Sequence, residues 1–285
     1  MIALAVLFAL LGAASNAVGT VFQRKAAARI PQGGGLRLIL QLARQPAWVV
    51  GIAGVAGAAL FQALALLNGP LSLVQPLFIL ELPFALMFAV PLLHRRLPRA
   101  GWWAVAGVVA GLGLVLVAAD PSGAEVAAPM SRWIPVLILC LSAVAVAVAV
   151  SRPSRPPLFR AAVLGSASAI SNALTAALLK SSMGTLESEG FVAFLSVWQT
   201  YGFVVTGIGA VLLLENALQA GPLAASQPAL TIGDATVSLF LGVFLFDETV
   251  RSGWWLLPEL AGAGLVLWGV LRLTRVVPQV GELAR

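Results

Sequence analysis

A single cysteine, Cys140, rules out a disulfide within the chain, and a single histidine, His94, argues against any histidine-built metal cluster. Charge is scarce too: 17 Lys and Arg and 11 Asp and Glu make only 10% of 285 residues, against about 25% in soluble domains. The sequence contains no serine elbow, phosphate-binding glycine loop or His/Cys cluster, so the usual handles of hydrolytic and phosphoryl-transfer chemistry are missing. Period-two alternation is absent, which excludes a membrane barrel. What fills the chain is apolar: 60% of residues are hydrophobic and the mean hydropathy is +0.99.

Nine apolar stretches have about the 20 residues that cross a bilayer: 2–23, 46–67, 71–93, 101–119, 133–150, 158–180, 192–214, 223–246 and 254–274. The expected fold is therefore an all-α integral membrane protein with lipid as its solvent. The first stretch reads as a helix, not a cleaved leader, because no positive residue precedes it. Cys140, inside the fifth stretch, reads as a buried inert thiol.

The positive residues fall mostly on one side if the N-terminus is outside. The cytoplasmic set is then Arg24, Lys25, Arg29, Arg37 and Arg44, then Arg95, Arg96 and Arg99, then Arg152, Arg155 and Arg160, then Arg272, Arg275 and Arg285; Arg132, Lys180 and Arg251 remain outside. This places the protein in the cell membrane with a cytoplasmic C-terminus. The net charge of +6 belongs to that rule and to anionic headgroups, with no call for a nucleic-acid partner. Residues 36–42, Leu-Arg-Leu-Ile-Leu-Gln-Leu, suit the membrane surface.

The chain is also an internal duplication. Gly69-Pro70-Leu71, Gln75-Pro76 and Gly101-Trp102-Trp103 recur as Gly221-Pro222-Leu223, Gln227-Pro228 and Gly253-Trp254-Trp255, all 152 residues later. Ser15-Asn16-Ala17 recurs as Ser171-Asn172-Ala173 at an offset of 156. Matched spans are five apart and so cross in opposite directions, which predicts two inverted repeats: residues 1–125 with helices 1–4, a connecting helix 5 in 126–155, and residues 156–285 with helices 6–9. Gly-Pro-Leu reads as turn chemistry, the Trp pairs as interfacial belts, and Gln75-Pro76 and Gln227-Pro228 equally as kinks or as ligand sites at depth.

The candidate chemistry lies in carboxylates placed where they are unfavourable. Glu81 is central in the third stretch and Asp234 in the eighth, at neighbouring positions of matched helices. Such a group costs on the order of 3 kcal/mol at a helix centre, and ionisable residues there usually line a pathway. Asn16 and Asn172 lie deep in matched helices, Glu259 within the ninth stretch, and Gln199, Tyr201 and Glu215-Asn216 in the seventh; Arg24 and Lys180 read as snorkelling helix-end cations. This acidic balance favours a cationic or proton-coupled small solute over an anion. The candidate binding set is Glu81, Asp234, Asn16, Asn172, Gln75, Gln227 and Glu259, with no cofactor. Were Mg2+ the solute, Glu81 and Asp234 would be its acidic ligands, the ion keeping several waters. Gly107, Gly111 and Gly113 offer a small-residue face on which a homodimer could form.

The two-copy plan, the segment 241–248 (Leu-Gly-Val-Phe-Leu-Phe-Asp-Glu) and the glycines 262, 264 and 269 of the last stretch resemble the drug/metabolite transporter superfamily, including its EamA-type domains. Nine spans, Phe22-Gln23-Arg24-Lys25 and residues 69–76 are most similar to its NIPA-like magnesium transporter branch. Two features depart from these patterns: the first copy has His94-Arg95-Arg96 where an acid is common, and Phe78 and Ile79 follow Pro76 where the NIPA-like pattern has small residues. The resemblance implies gradient-driven transport by alternating access and no enzymatic activity. A membrane-embedded lipid-processing enzyme is the distant alternative, with Asp247-Glu248 as its one conceivable acid pair.

Overall fold

The computed structural model describes residues 1–27, 45–92, 98–123, 125–251 and 253–282; the 36–42 segment and His94-Arg95-Arg96 lie outside them. Helix accounts for nearly all of the described chain. Its elements are α1 (Ile2–Ala27), α2 (Pro46–Asn68), α3 (Leu71–Leu77), a 3-10 turn (Phe78–Leu80), α4 (Glu81–Leu92), α5 (Arg99–Ala119), α6 (Met130–Val150), α7 (Pro157–Glu189), α8 (Phe191–Ser196), α9 (Trp198–Ala220), α10 (Leu223–Phe246), a 3-10 turn (Gly253–Trp255) and α11 (Leu256–Glu282). Among the described residues nine helical segments are long and apolar enough to span a membrane, with α3 and α4 together forming the third. The protein is an all-α, multi-pass membrane protein.

Small residues set the packing. Ala5, Ala9, Ala13 and Ala17 form a fully buried stripe on α1, and a Cβ on Gly54 would stand 2.8 Å from the Gly19 Cα, so α1 and α2 meet backbone to backbone. The two halves repeat this plan: α1 packs along α2 and against α3 and α4, as α7 packs along α9 and α10. They join where α3 meets α10 and where α5 meets α11. A Cβ on Gly111 would fall 2.7 Å from the Gly262 carbonyl, and one on Gly262 equally close to that of Gly111. Gly107 is likewise occupied by Trp268, while Gly113 alone of the three faces open space. The glycine face expected for a homodimer is thus largely used inside the chain.

Three boundaries differ from the sequence expectation. The third span is interrupted by a 3-10 turn: Pro76 removes the amide that would bond Ser72 C=O, Pro83 removes the one that would bond Ile79 C=O, and the chain tightens at Phe78–Leu80 before the α-helix resumes at Glu81. The eighth span, with Pro228 at the matched position, is continuous. The seventh begins at Trp198 behind a short separate helix, which puts Gln199 and Tyr201 in its first turn. The sixth span runs 33 residues to Glu189, beyond its apolar stretch, because Ser181 and Ser182 are buried against protein, not exposed to water.

Exposed faces fit a lipid environment. Ile138, Leu139, Val205, Ile208 and Val211 are well exposed, as are Trp102, Trp103 and Trp254 near helix starts. Cys140 is buried and unpaired.

Candidate functional site

The duplicated sequence folds into duplicated polar pairs. Asn16 Nδ2 of α1 donates to Glu81 Oε2 at 2.8 Å, and Asn172 Nδ2 of α7 donates to Asp234 Oδ2 of α10 at 3.0 Å. Each asparagine thus holds the acid of its own half, across 65 and 62 residues respectively. Helix packing positions them: α1 lies against α4 and α7 against α10.

The pairs are not equivalent. Glu81 opens α4 directly after the helix break, and Thr20 Oγ1 donates to its second oxygen, Oε1, at 3.2 Å. At the 156-residue offset the counterpart of Thr20 is Ala176, which has no hydroxyl. Asp234 Oδ1 is accordingly buried with no hydrogen-bond partner. Ser238, one turn further along α10, faces the same carboxyl but completes no hydrogen bond, its Oγ being buried too. Within the 3-10 turn the Phe78 ring lies over Gly12, where any Cβ would stand 2.7 Å from Cζ. Ser168 and Leu230 occupy the matched positions in the second half.

The remaining expected site residues are dispersed. Gln75 is 2% exposed, and both heteroatoms of its amide are buried without a partner. Gln227 is only half-buried, near the start of α10. Glu259, half-buried in the first turn of α11, has no hydrogen-bond partner among the described residues. Tyr201 donates to the Leu195 carbonyl and Asn216 to that of Leu212, so both are structural. Gln199 Oε1 is buried and unpaired.

Sequence reading missed a second polar cluster. Lys180 is not a snorkelling end residue: it sits more than two turns before the end of α7, 1% exposed. Its Nζ lies 2.6 Å from Glu248 Oε1 and 4.5 Å from the Phe246 ring centroid. Glu248, 2% exposed, also accepts from Leu71 N at 2.6 Å, Ser72 N at 2.9 Å and Ser72 Oγ at 2.6 Å. One carboxylate from the end of α10 therefore caps the start of α3, 176 and 177 residues away. The signal available was register: Lys180 falls 156 residues after Arg24, so both copies carry a cation there. Nearby, Asp247 pairs with Arg132 and Asp120 with Arg251, both exposed, and Ser122 bridges Thr249.

Among the described residues no three of His, Cys, Asp and Glu come together as a metal site. No protein-family model matches the chain, and no solved structure does. A curated relative does: an uncharacterized protein of Corynebacterium glutamicum, Cgl0250/cg0304, is 30% identical over 259 residues, covering 88% of each chain. The chain belongs to that protein's family. The shared length takes in most of the spans, so the relative supplies a family but no activity. The function has to be argued from the polar pairs themselves.

Proposed function

We propose that this protein is a secondary transporter of the drug/metabolite transporter superfamily, of the EamA-like kind, moving a small cationic or proton-coupled solute by alternating access. The observation that carries the reading is the repeated Asn–carboxyl pair, Asn16–Glu81 and Asn172–Asp234, half-buried within matched spans of the two halves. Two acids at membrane depth are costly to a purely structural bundle, whereas a transporter needs groups that bind a cation or proton and release it. The 3-10 turn immediately before Glu81 supports this, since interrupted helices at depth recur at transporter sites. Inverted repeats that rock about the site would present it to each side in turn. Because proton and cation would compete for the same carboxyls, their exclusion of one another would couple the two fluxes.

The distribution of Lys and Arg supports an outside N-terminus and a cytoplasmic C-terminus in this reading, which takes the cell membrane as the site of transport. A NIPA-like magnesium activity is the second reading, favoured by the oxygen donors of Glu81, Thr20 and Asn16 on one site. A lipid-processing enzyme is disfavoured: Glu248 of its one conceivable acid pair is already taken up by Lys180 and the α3 amides.

The test uses purified protein in proteoliposomes with a trapped pH indicator or a trapped Mg2+ indicator. Addition of tetraphenylphosphonium or another lipophilic organic cation is expected to move protons in the wild type and not in the Glu81→Gln, Asp234→Asn double variant. Mg2+ entry with the same loss would select the magnesium reading. Wild-type flux through the double variant would remove these acids from the mechanism.

A further inference from the structure

The Lys180–Glu248 cluster joins the two halves at one end of the bundle, and nothing so far gives it a task. It ties three spans together: Lys180 from α7, Glu248 just past α10, and Leu71 and Ser72 at the start of α3. Both side chains are almost completely excluded from water, which makes losing either partner costly. Glu125, in the loop before α6, is the other acid close enough to act on Lys180. One turn below Ser72, on the same face of α3, lies Gln75, whose amide is buried with donor and acceptor both unpaired. An amide in that condition is unfavourable, and it would gain partners as soon as water or a polar solute reached it. Further down the same span come the helix break and Glu81. Ser72, Gln75 and Glu81 thus follow one another along the third span, from the ion pair towards the carboxyl site.

The duplication does not repeat these residues in sequence. In the register of the duplication, the positions matching Lys180, Glu248 and Ser72 are Arg24, Arg96 and Ala224. That set has two cations and no carboxylate, so it cannot reproduce the ion pair.

We propose that Lys180 and Glu248 form the gate at one end of the solute path, closed in this structure, and that Gln75 is the first solute-contacting residue beneath it. The proposal rests on the transport reading for the solute, but gating itself is read by access alone. Separating α3 from α10 breaks three contacts to one carboxylate at once, so the gate opens as a unit and admits water to Gln75. The preferred ligand at Gln75 carries both a donor and an acceptor, because the amide offers both.

The experiment is thiol labelling of the detergent-purified full chain carrying Cys140→Ala and Gln75→Cys, using a bulky charged maleimide. With the gate intact the introduced thiol is expected to label slowly. Glu248→Gln or Lys180→Met is expected to raise the labelling rate by about tenfold or more, while Ser122→Ala, at the same end but outside the cluster, leaves it unchanged. Each variant is first checked for a single folded peak by size exclusion, and using two gate variants guards against loss of one. Labelling unaffected by both, in folded protein, or rapid with the pair intact, overturns the gate. No solute is needed, so a labelling result as expected from a protein that moves no cation would sink the transport reading and leave the gate standing.

Discussion

Asn172 holds Asp234 by one hydrogen bond of 3.0 Å to Oδ2, and Oδ1 of the same carboxyl is buried with no partner. In the first half Asn16 and Thr20 divide the two oxygens of Glu81 between them. A hydrogen bond to a charged group contributes roughly 1.5–3 kcal/mol, so losing the sole recorded donor should matter more than losing one of two. Asn172→Leu is therefore expected to weaken proton-coupled cation flux by about tenfold to a hundredfold, and Asn16→Leu by clearly less. Initial rates in proteoliposomes at matched reconstitution check the order; equal losses would mean that Thr20 does not share the load.

Gly111 and Gly262 are in mutual backbone contact, and Gly113 two residues on meets nothing within 4 Å. Gly111→Val should force α5 from α11 and destabilise by about 1–3 kcal/mol or more, as overpacking does, seen as a fall in the thermal midpoint of the detergent-solubilised protein. Gly113→Val should leave that midpoint nearly unchanged. The reverse order would mean that the glycine stripe serves a contact between chains.

The nine spans and the duplication were legible because both are written in local pattern: apolar length and repeated turns. The pairing of Asn16 with Glu81 and of Asn172 with Asp234 was half legible, since equal offsets placed them on matched helices without saying that they touch. Lys180 and Glu248 were not, because their meeting depends on how α7, α10 and α3 converge across 68 and 177 residues. The interruption of the third span was legible as a kink at Pro76, but the same reading failed at Pro228: what differs is Pro83, whose counterpart is Ala235, and the Phe78 ring lying over Gly12 in one half only.

That difference makes a test of the break. Pro76→Ala combined with Pro83→Ala restores the two amides missing around the 3-10 turn, and removing an interior proline is expected to favour helix by up to about 3 kcal/mol. If the break serves the site, the variant should be at least as stable as wild type yet lose most transport. Pro228→Ala, in the continuous α10, should change transport far less. Comparable activity in both variants would make the break incidental.

Gln75 separates a structural role from a functional one most sharply. Its amide is 2% exposed with both heteroatoms unpaired, and a buried polar group in that state costs about 1–3 kcal/mol. Methionine has nearly the same length and no hydrogen-bonding need. Gln75→Met is thus expected to raise the thermal midpoint while flux falls, the exchange of stability against activity found where a site is built at the expense of the fold. A structural amide would behave in the opposite way: its loss would lower the midpoint and leave the flux of the surviving folded protein intact. Measuring both quantities on the same purified sample decides between them, because only a group kept for the solute makes the protein more stable and less active when it is removed.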